Sequence, residues 1–391
     1  MASWRAFTPV AALVIGALAS CDASTSAPVD AGADGGPSVI VEGDYTWVLP
    51  AGFPKPAVPR DNPMSVAKVE LGRRLFYDTK LSGNQTQSCA SCHVQALAFT
   101  DGKAQAIGST GEVHPRSSMG LANIGYTTAL TWANDLLPGL EKQALVPMFG
   151  ETPVELGLVG KDDEFLGRLR SDPMYPPLFS KAFPSDGTVS LEHVVKALAS
   201  FQRTLISGSS RYDRHASGAD PRALSEAELR GKELFFSERL ECFHCHGGYA
   251  FSDSVTSASS RVREQFFHNT GLYNIDGKGA YPAENTGLFA ISGKPSDMGR
   301  FKAPSLRNIA VTAPYMHDGS IATLEEVIDH YAAGGRTIVS GPHAGNGSQN
   351  PLKDPLVRGF TISSAERSDL VAFLKSLTDE AFLTDRRFSP P

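Results

Sequence analysis

Cysteine is scarce in this chain. Five among 391 residues are too few for a disulfide-stapled scaffold. An excess of positive charge is missing as well. Lys and Arg number 36 against 42 Asp and Glu, a formal net charge of −6, and with no basic face standing out this argues against nucleic acid as a partner. After residue 21 no stretch is apolar for long enough to span a bilayer. Tryptophan is rare, with only Trp47 and Trp132 beyond the first twenty residues. What remains is 41% hydrophobic and 20% charged, the composition of a soluble globular protein long enough for two domains.

The apolar run at the start is short. MASWRAFTPVAALVIGALASC carries one basic residue, Arg5, and ends in Leu18-Ala19-Ser20-Cys21, a signal-peptide core followed by a lipobox-like tetrapeptide. Ordinary signal cleavage with an incidental cysteine is the plainer alternative. Cleavage before Cys21 and lipidation of its thiol would place the protein on the periplasmic side or the cell surface of a bacterium, touching the membrane only through the lipid anchor. Losing Arg5 takes the mature charge from −6 to −7. Residues 22–45 are rich in Ala, Ser, Gly, Pro and Asp and read as a flexible tether.

The other four cysteines form two pairs, Cys89/Cys92 and Cys242/Cys245, each followed at once by a histidine, His93 and His246. Cys-x-x-Cys-His is the attachment motif for c-type haem. Two cysteines three apart sit on one side of a helical turn and can each form a thioether, while the adjacent histidine becomes the proximal iron ligand. A zinc knuckle would want its second pair roughly 15–20 residues on. A disulfide within each pair would not explain the histidine following both. Two covalently bound haem c groups are the expectation.

The motifs sit in a repeat. Val69–Gly102 and Ala227–Asp253 share Glu-Leu, a glycine, Leu-Phe, the haem motif, and a Phe followed closely by Asp. Asn62-Pro63 reads as a helix N-cap with proline in the first turn, and Ser225-x-x-Glu228 as a capping box. Further helices are expected at 191–206 and 363–377, and no convincing hairpin signal is seen. The polar, Gly/Pro-punctuated stretch 207–223 reads as a linker. The expected fold is all-α, mainly helical, with two cytochrome c-like haem domains in tandem: leader 1–21, tether 22–45, N-terminal haem domain 46–206, linker 207–223 and C-terminal haem domain 224–385.

What such a protein does depends on the opposite face of each iron. In Thr312–Gly335, Thr323-x-x-Glu326 is a capping box and the helix should stop at Gly334-Gly335. Leu324, Val327, Ile328 and Tyr331 share one face of it, with His330 on the flank. A core tyrosine is one reading of Tyr331 and an axial ligand the other. His330, Met316 and Met298 are rival ligands.

Across 46–385 the chain resembles the bacterial di-haem cytochrome c peroxidase superfamily, through both haem motifs, Phe301–Gly319 (FKAPSLRNIAVTAPYMHDG) and the TLEEV helix. Family peroxidases ligate the second haem by a methionine on that helix. Tyr331 in its place resembles the MauG and MbnH-like branch, whose members use tyrosine. A phenolate is anionic and hard and stabilises oxidised iron, whereas methionine sulfur favours ferrous iron. The resemblance further implies Trp132 as an electron stepping stone between the haems, and Gln143 and Glu155 in the peroxide pocket with Pro147 lining it. Glu155 would shuttle the proton for O–O cleavage, with Glu151 the competing choice. His114 is expected to order its loop and leave His93 the only protein ligand of the first iron. A calcium ion between the haems is implied through the carbonyls of Thr312 and Pro314, although Ser117 stands where the family has asparagine. His317 and His244 read as structural.

The resemblance thus implies an oxidoreductase that reacts with hydrogen peroxide and oxidises a protein partner, at tryptophan, through a two-haem high-valent state. Two alternatives stand beside it. One is a cytochrome c peroxidase drawing on a small electron-transfer protein, and the other a non-enzymatic di-haem electron-transfer lipoprotein.

Overall fold

The computed structural model describes residues 36–391, so the leader, Cys21 and 22–35 of the expected tether lie outside the described residues. The Val66–Tyr77 helix buries Leu71, Leu75 and Phe76 against the Leu191–Arg203 helix. Gly72 stands at their crossing, where a Cβ would lie 1.9 Å from the Ala197 carbonyl oxygen. The second half repeats the device. The Glu226–Phe235 helix crosses the Ser364–Ser376 helix at Gly231, where a Cβ would lie 2.0 Å from the Asp369 carbonyl oxygen. The glycine shared by both repeats is thus a backbone-contact residue, and the Leu-Phe pair beyond it feeds each core.

Around these pairs lie two hydrophobic clusters, one holding Phe76, Phe99, Phe165 and Phe201, the other Phe235, Phe251, Ile328 and Phe373. Both belong to a single unit, Ala31–Pro391. The chain end ties them together: Phe382, Leu383 and Phe388 pack into the first cluster, and Gln95 Nε2 donates to the carbonyls of Phe382 and Asp385 at 3.2 and 2.8 Å. A boundary that gives everything up to 385 to the C-terminal half therefore misplaces this tail.

Four local expectations need correction. First, Ser38–Glu42 and Tyr45–Leu49 form an antiparallel hairpin pairing Ser38 with Leu49 and Glu42 with Tyr45. Its two-residue turn is Gly43-Asp44, with Gly43 at φ +64°, a recognisable hairpin signal. Trp47 and Leu49 are buried while Val39, Val41 and Val48 are exposed, so the tether ends before residue 38. Second, the N-cap of the first long helix is Ser65, whose side chain accepts from Lys68 N–H. Asn62 is fully buried instead, donating to Glu141 Oε1 at 2.7 Å and the Lys196 carbonyl at 3.0 Å. Third, the 191–206 helix ends at Arg203. Fourth, the linker 207–223 is built into the fold: Gly208 and Ser209 N–H each donate to Asp379 Oδ2 at 2.9 Å, and Arg211–Ala216 is a helix with a Ser210 capping box. The capping boxes at Ser225 and Thr323 form as expected, and the helix expected at 363–377 is Ser364–Ser376, with Ser363 as its N-cap. Among the described residues no helix is long and apolar enough to cross a membrane.

Candidate functional site: two cavities joined by a tryptophan

Each Cys-x-x-Cys forms a single helical turn, Cys89–Cys92 and Cys242–Cys245, with four free thiols. The histidine that follows turns out of the helix and is fixed from behind. His93 Nδ1–H donates to the Phe99 carbonyl at 2.7 Å, and His246 Nδ1–H to the Phe251 carbonyl at 3.3 Å. Phe99 and Phe251 have positive φ, +65° and +51°, which swings those carbonyls back toward the rings. Burial lowers the pKa of both imidazoles. Each is therefore a neutral ring with its Nε2 lone pair free, the form a metal ligand needs.

Each motif opens onto its own cavity. The N-terminal one, about 400 Å³, is lined by Cys89, Cys92 and His93 together with Gln143, Pro147 and Glu155. The C-terminal one, about 200 Å³, is lined by Cys242, Cys245 and His246 together with Tyr331 and Met316. Between them a cavity of about 90 Å³ holds Ser117, Thr312 and Pro314 in its wall. Trp132 lines all three, and its Nε1–H donates to the Ser117 carbonyl at 2.9 Å.

The walls fit haem c. Four thiols stand in them, and so do two cations, the half-buried Arg116 and the buried Lys302, whose hydrogen-bond partners are neutral. Arg116 Nε donates to Asn285 Oδ1 at 3.0 Å in the N-terminal wall, and Lys302 Nζ to the Ala129 carbonyl at 2.9 Å in the C-terminal wall. Burial pulls the Lys302 amine down to about 8 and lowers the Arg116 guanidinium as well. Cations without counter-charges in a cavity wall suit the carboxylate side arms of a haem. Neither residue stands out from the sequence alone, although Lys302 lies inside the FKAPSLRN segment that carries the resemblance.

The N-terminal cavity gathers proton carriers. Burial raises the pKa of Glu155, and Glu155 Oε1 lies 3.7 Å from His114 Nε2. His114 Nδ1 accepts from Arg116 N–H at 3.1 Å, which orders the loop, and the ring itself lines the cavity. Glu151 is exposed and stands outside the lining. In the C-terminal cavity the rival ligands separate. Tyr331 and Met316 line it, while Met298 and His330 do not. Burial raises the pKa of the Tyr331 hydroxyl, with the Cys245 and Cys242 thiols adding to the shift. His317 stacks on Phe301 at 3.6 Å and lines the same cavity. His244 pairs with Glu241 at 2.8 Å. The small middle cavity offers neutral oxygens from Ser117, Thr312 and Pro314, no carboxylate, and the cations Lys302 and Arg307.

A family model described as di-haem cytochrome c peroxidase matches residues 66–221. The methylamine utilization protein MauG of Methylorubrum extorquens is 33% identical over 96% of this chain and 97% of its own length. A cytochrome-c peroxidase, IdrP1, of a Pseudomonas species is 33% identical over 84% of this chain and 85% of its own. Among solved structures, a MauG-like protein associated with microbial copper homeostasis is 52% identical, with a TM-score of 0.87 over 89% of this chain and 99% of that one.

Proposed function

The chain belongs to the di-haem cytochrome c peroxidase and MauG family of oxidoreductases, and from that premise we propose that it reacts with hydrogen peroxide and oxidises a protein partner, at tryptophan, in the MauG and MbnH-like manner. The observation that carries this is Tyr331 in one cavity with Cys242, Cys245 and His246. When bound, haem iron supplies the two-electron chemistry that reduces peroxide to two waters, both electrons coming finally from the partner. Glu155 takes a proton from the incoming peroxide and returns it to the departing oxygen, with Gln143 positioning the peroxide and His114 behind Glu155. Burial favours the protonated Tyr331 hydroxyl; on binding the metal it would give up that proton to solvent and supply a hard anionic oxygen that favours the oxidised metal. Trp132, shared by both cavities, gives the electrons a path between them. The partner need not enter either cavity. Because the 52%-identical neighbour is associated with copper homeostasis, a copper-handling protein is the partner class to try first.

We extend the same reading to a lipid anchor at Cys21 on the periplasmic side or the cell surface of a bacterium, and to calcium held by the carbonyls of Thr312 and Pro314 with Ser117. A second reading, an ordinary peroxidase fed by a small cytochrome, is favoured by one observation: Met316 also lines the C-terminal cavity.

The test adds stoichiometric peroxide to the fully ferric, haem-loaded protein with no electron donor and follows visible and near-infrared spectra. A long-lived change involving both haems supports the proposal. A reaction that begins only after one haem is reduced would sink it in favour of the ordinary peroxidase.

A further inference from the structure

His268 lines the C-terminal cavity beside Cys245, 22 residues beyond His246 (268 − 246). Each of its ring nitrogens meets a different carboxylate. Nε2 lies 2.6 Å from Asp253 Oδ2 and Nδ1 lies 2.7 Å from Asp354 Oδ2. A neutral imidazole has one N–H and would turn a lone pair toward one of these oxygens, whereas an imidazolium donates to both. The ring and both carboxylates are largely buried, at 18%, 14% and 15% side-chain exposure, so water screens them little. Ligand atoms of His268, Asp253 and Cys245 lie within 4.8 Å of one another. Cys245 is the point where the second haem is covalently joined, so the clamp stands at the haem edge. A metal ion is a poor alternative, because a thioether sulfur is a weaker donor than a thiolate and both imidazole nitrogens are engaged.

We propose that Asp253, His268 and Asp354 form a fixed-charge clamp that sets the reduction potential of the C-terminal haem, with His268 as its permanent cation. His268 is a positioning residue: it touches neither peroxide nor partner and acts through the local field. The imidazolium favours the electron-rich, reduced haem, and the two carboxylates favour the oxidised one. With two negative charges against one positive, the triad as a whole leans toward oxidation, in the same direction as Tyr331. Burial by itself would push the imidazole down; the hydrogen bonds to Asp253 and Asp354, with the free Cys245 thiol adding to them, push it up, and the two carboxylates remain when that sulfur is a thioether. Among the described residues the N-terminal half has no counterpart beside its haem motif. His114, 21 residues beyond His93 (114 − 93), has one carboxylate at 3.7 Å and an acceptor role for its other nitrogen.

This inference rests on haem being joined at Cys242 and Cys245, and is independent of which partner is oxidised. The experiment is a spectroelectrochemical titration of the haem-loaded protein and of His268→Gln, Asp354→Asn and His268→Lys. Removing the cation should move the C-terminal haem to a more negative potential. Removing a carboxylate should move it to a more positive one. Lysine at 268 should bring it back toward the native value, and the N-terminal haem should not move in any variant. Equal-sign shifts in His268→Gln and Asp354→Asn, or no shift in either, would overturn the clamp. If His268→Gln does not load haem, the sign of the Asp354→Asn shift decides alone. Haem content per chain and the donor-free peroxide reaction are measured on the same samples. A failure of the proposed function appears there and not in the sign of the potential shifts.

Discussion

The two cavities share a scaffold and differ in how their polar groups are held. In both, a one-turn Cys-x-x-Cys helix, a histidine tied to a phenylalanine carbonyl and a glycine-pinned helix pair build the same wall. In the N-terminal cavity the remaining polar groups are loosely held: Glu155 and His114 stand 3.7 Å apart, and burial raises the one and lowers the other. In the C-terminal cavity they are locked, with His268 clamped by two aspartates and His317 stacked flat on Phe301. Loose groups of shifted pKa can pass protons. Locked groups can only set an electrostatic level. The repeat therefore accounts for what the two sites share, and the segments after each motif for what differs; on the function proposed above, one site reacts and the other stores.

The sharpest way to break that division is at Glu155. Glu155→Gln should slow the reaction with peroxide by ~10²–10⁴-fold in stopped-flow mixing, with the C-terminal haem spectrum unchanged. The pH profile carries the sign. A protonated Glu155 cannot accept a proton, so the rate should fall as pH drops through its pKa. Burial places that limb above the ordinary carboxylate range, and Glu155→Gln should flatten it. An unaltered acid limb would move the role to another group. Next in size is Tyr331→Met, which should raise the C-terminal potential by on the order of 0.1 V and abolish the donor-free, two-haem spectral change, while the N-terminal haem still reacts with peroxide. An unchanged potential would make Met316, in the same wall, the ligand.

What was legible in the chain followed from chemistry that needs adjacent residues. Haem attachment demands Cys-x-x-Cys-His within one turn, and the capping boxes at Ser225 and Thr323 close over four residues. The His268 clamp was not legible, because Asp253 and Asp354 lie 101 positions apart (354 − 253) and only the fold brings them to one ring. The return of Phe382 and Phe388 to the first core likewise has no local signature. The hairpin at 38–49 is a different failure. Its Gly43-Asp44 turn and alternating valines were visible, but the Ala/Ser/Gly/Pro bias of the residues before them outweighed the alternation. Asn62 differs for a related reason: Asn-Pro has the local chemistry of a cap, while the burial that binds Asn62 to Glu141 and Lys196 is a long-range fact.

The shared scaffold can be tested by giving both halves the same injury. Gly72→Ala and Gly231→Ala each force a methyl against a backbone carbonyl, at 1.9 and 2.0 Å before relaxation. Each should cost about 1–3 kcal/mol in thermal unfolding of the haem-loaded protein. Because both cores lie in one unit, each substitution should lower a single transition. Two separated transitions, one per variant, would mean that the halves are independent after all.

Trp132→Phe is the mildest change and separates a core aromatic from a redox link. Phenylalanine keeps the ring against all three cavities and removes the N–H that reaches the Ser117 carbonyl at 2.9 Å. The stability loss should be small, about 0.5–1.5 kcal/mol, as for one hydrogen bond. The interval between the spectral response of the first haem and that of the second should nevertheless lengthen, because phenylalanine is much harder to oxidise than tryptophan. An unchanged interval would leave Trp132 as packing and require another path between the cavities, with the Lys302 and Met316 walls of the middle cavity the places to look.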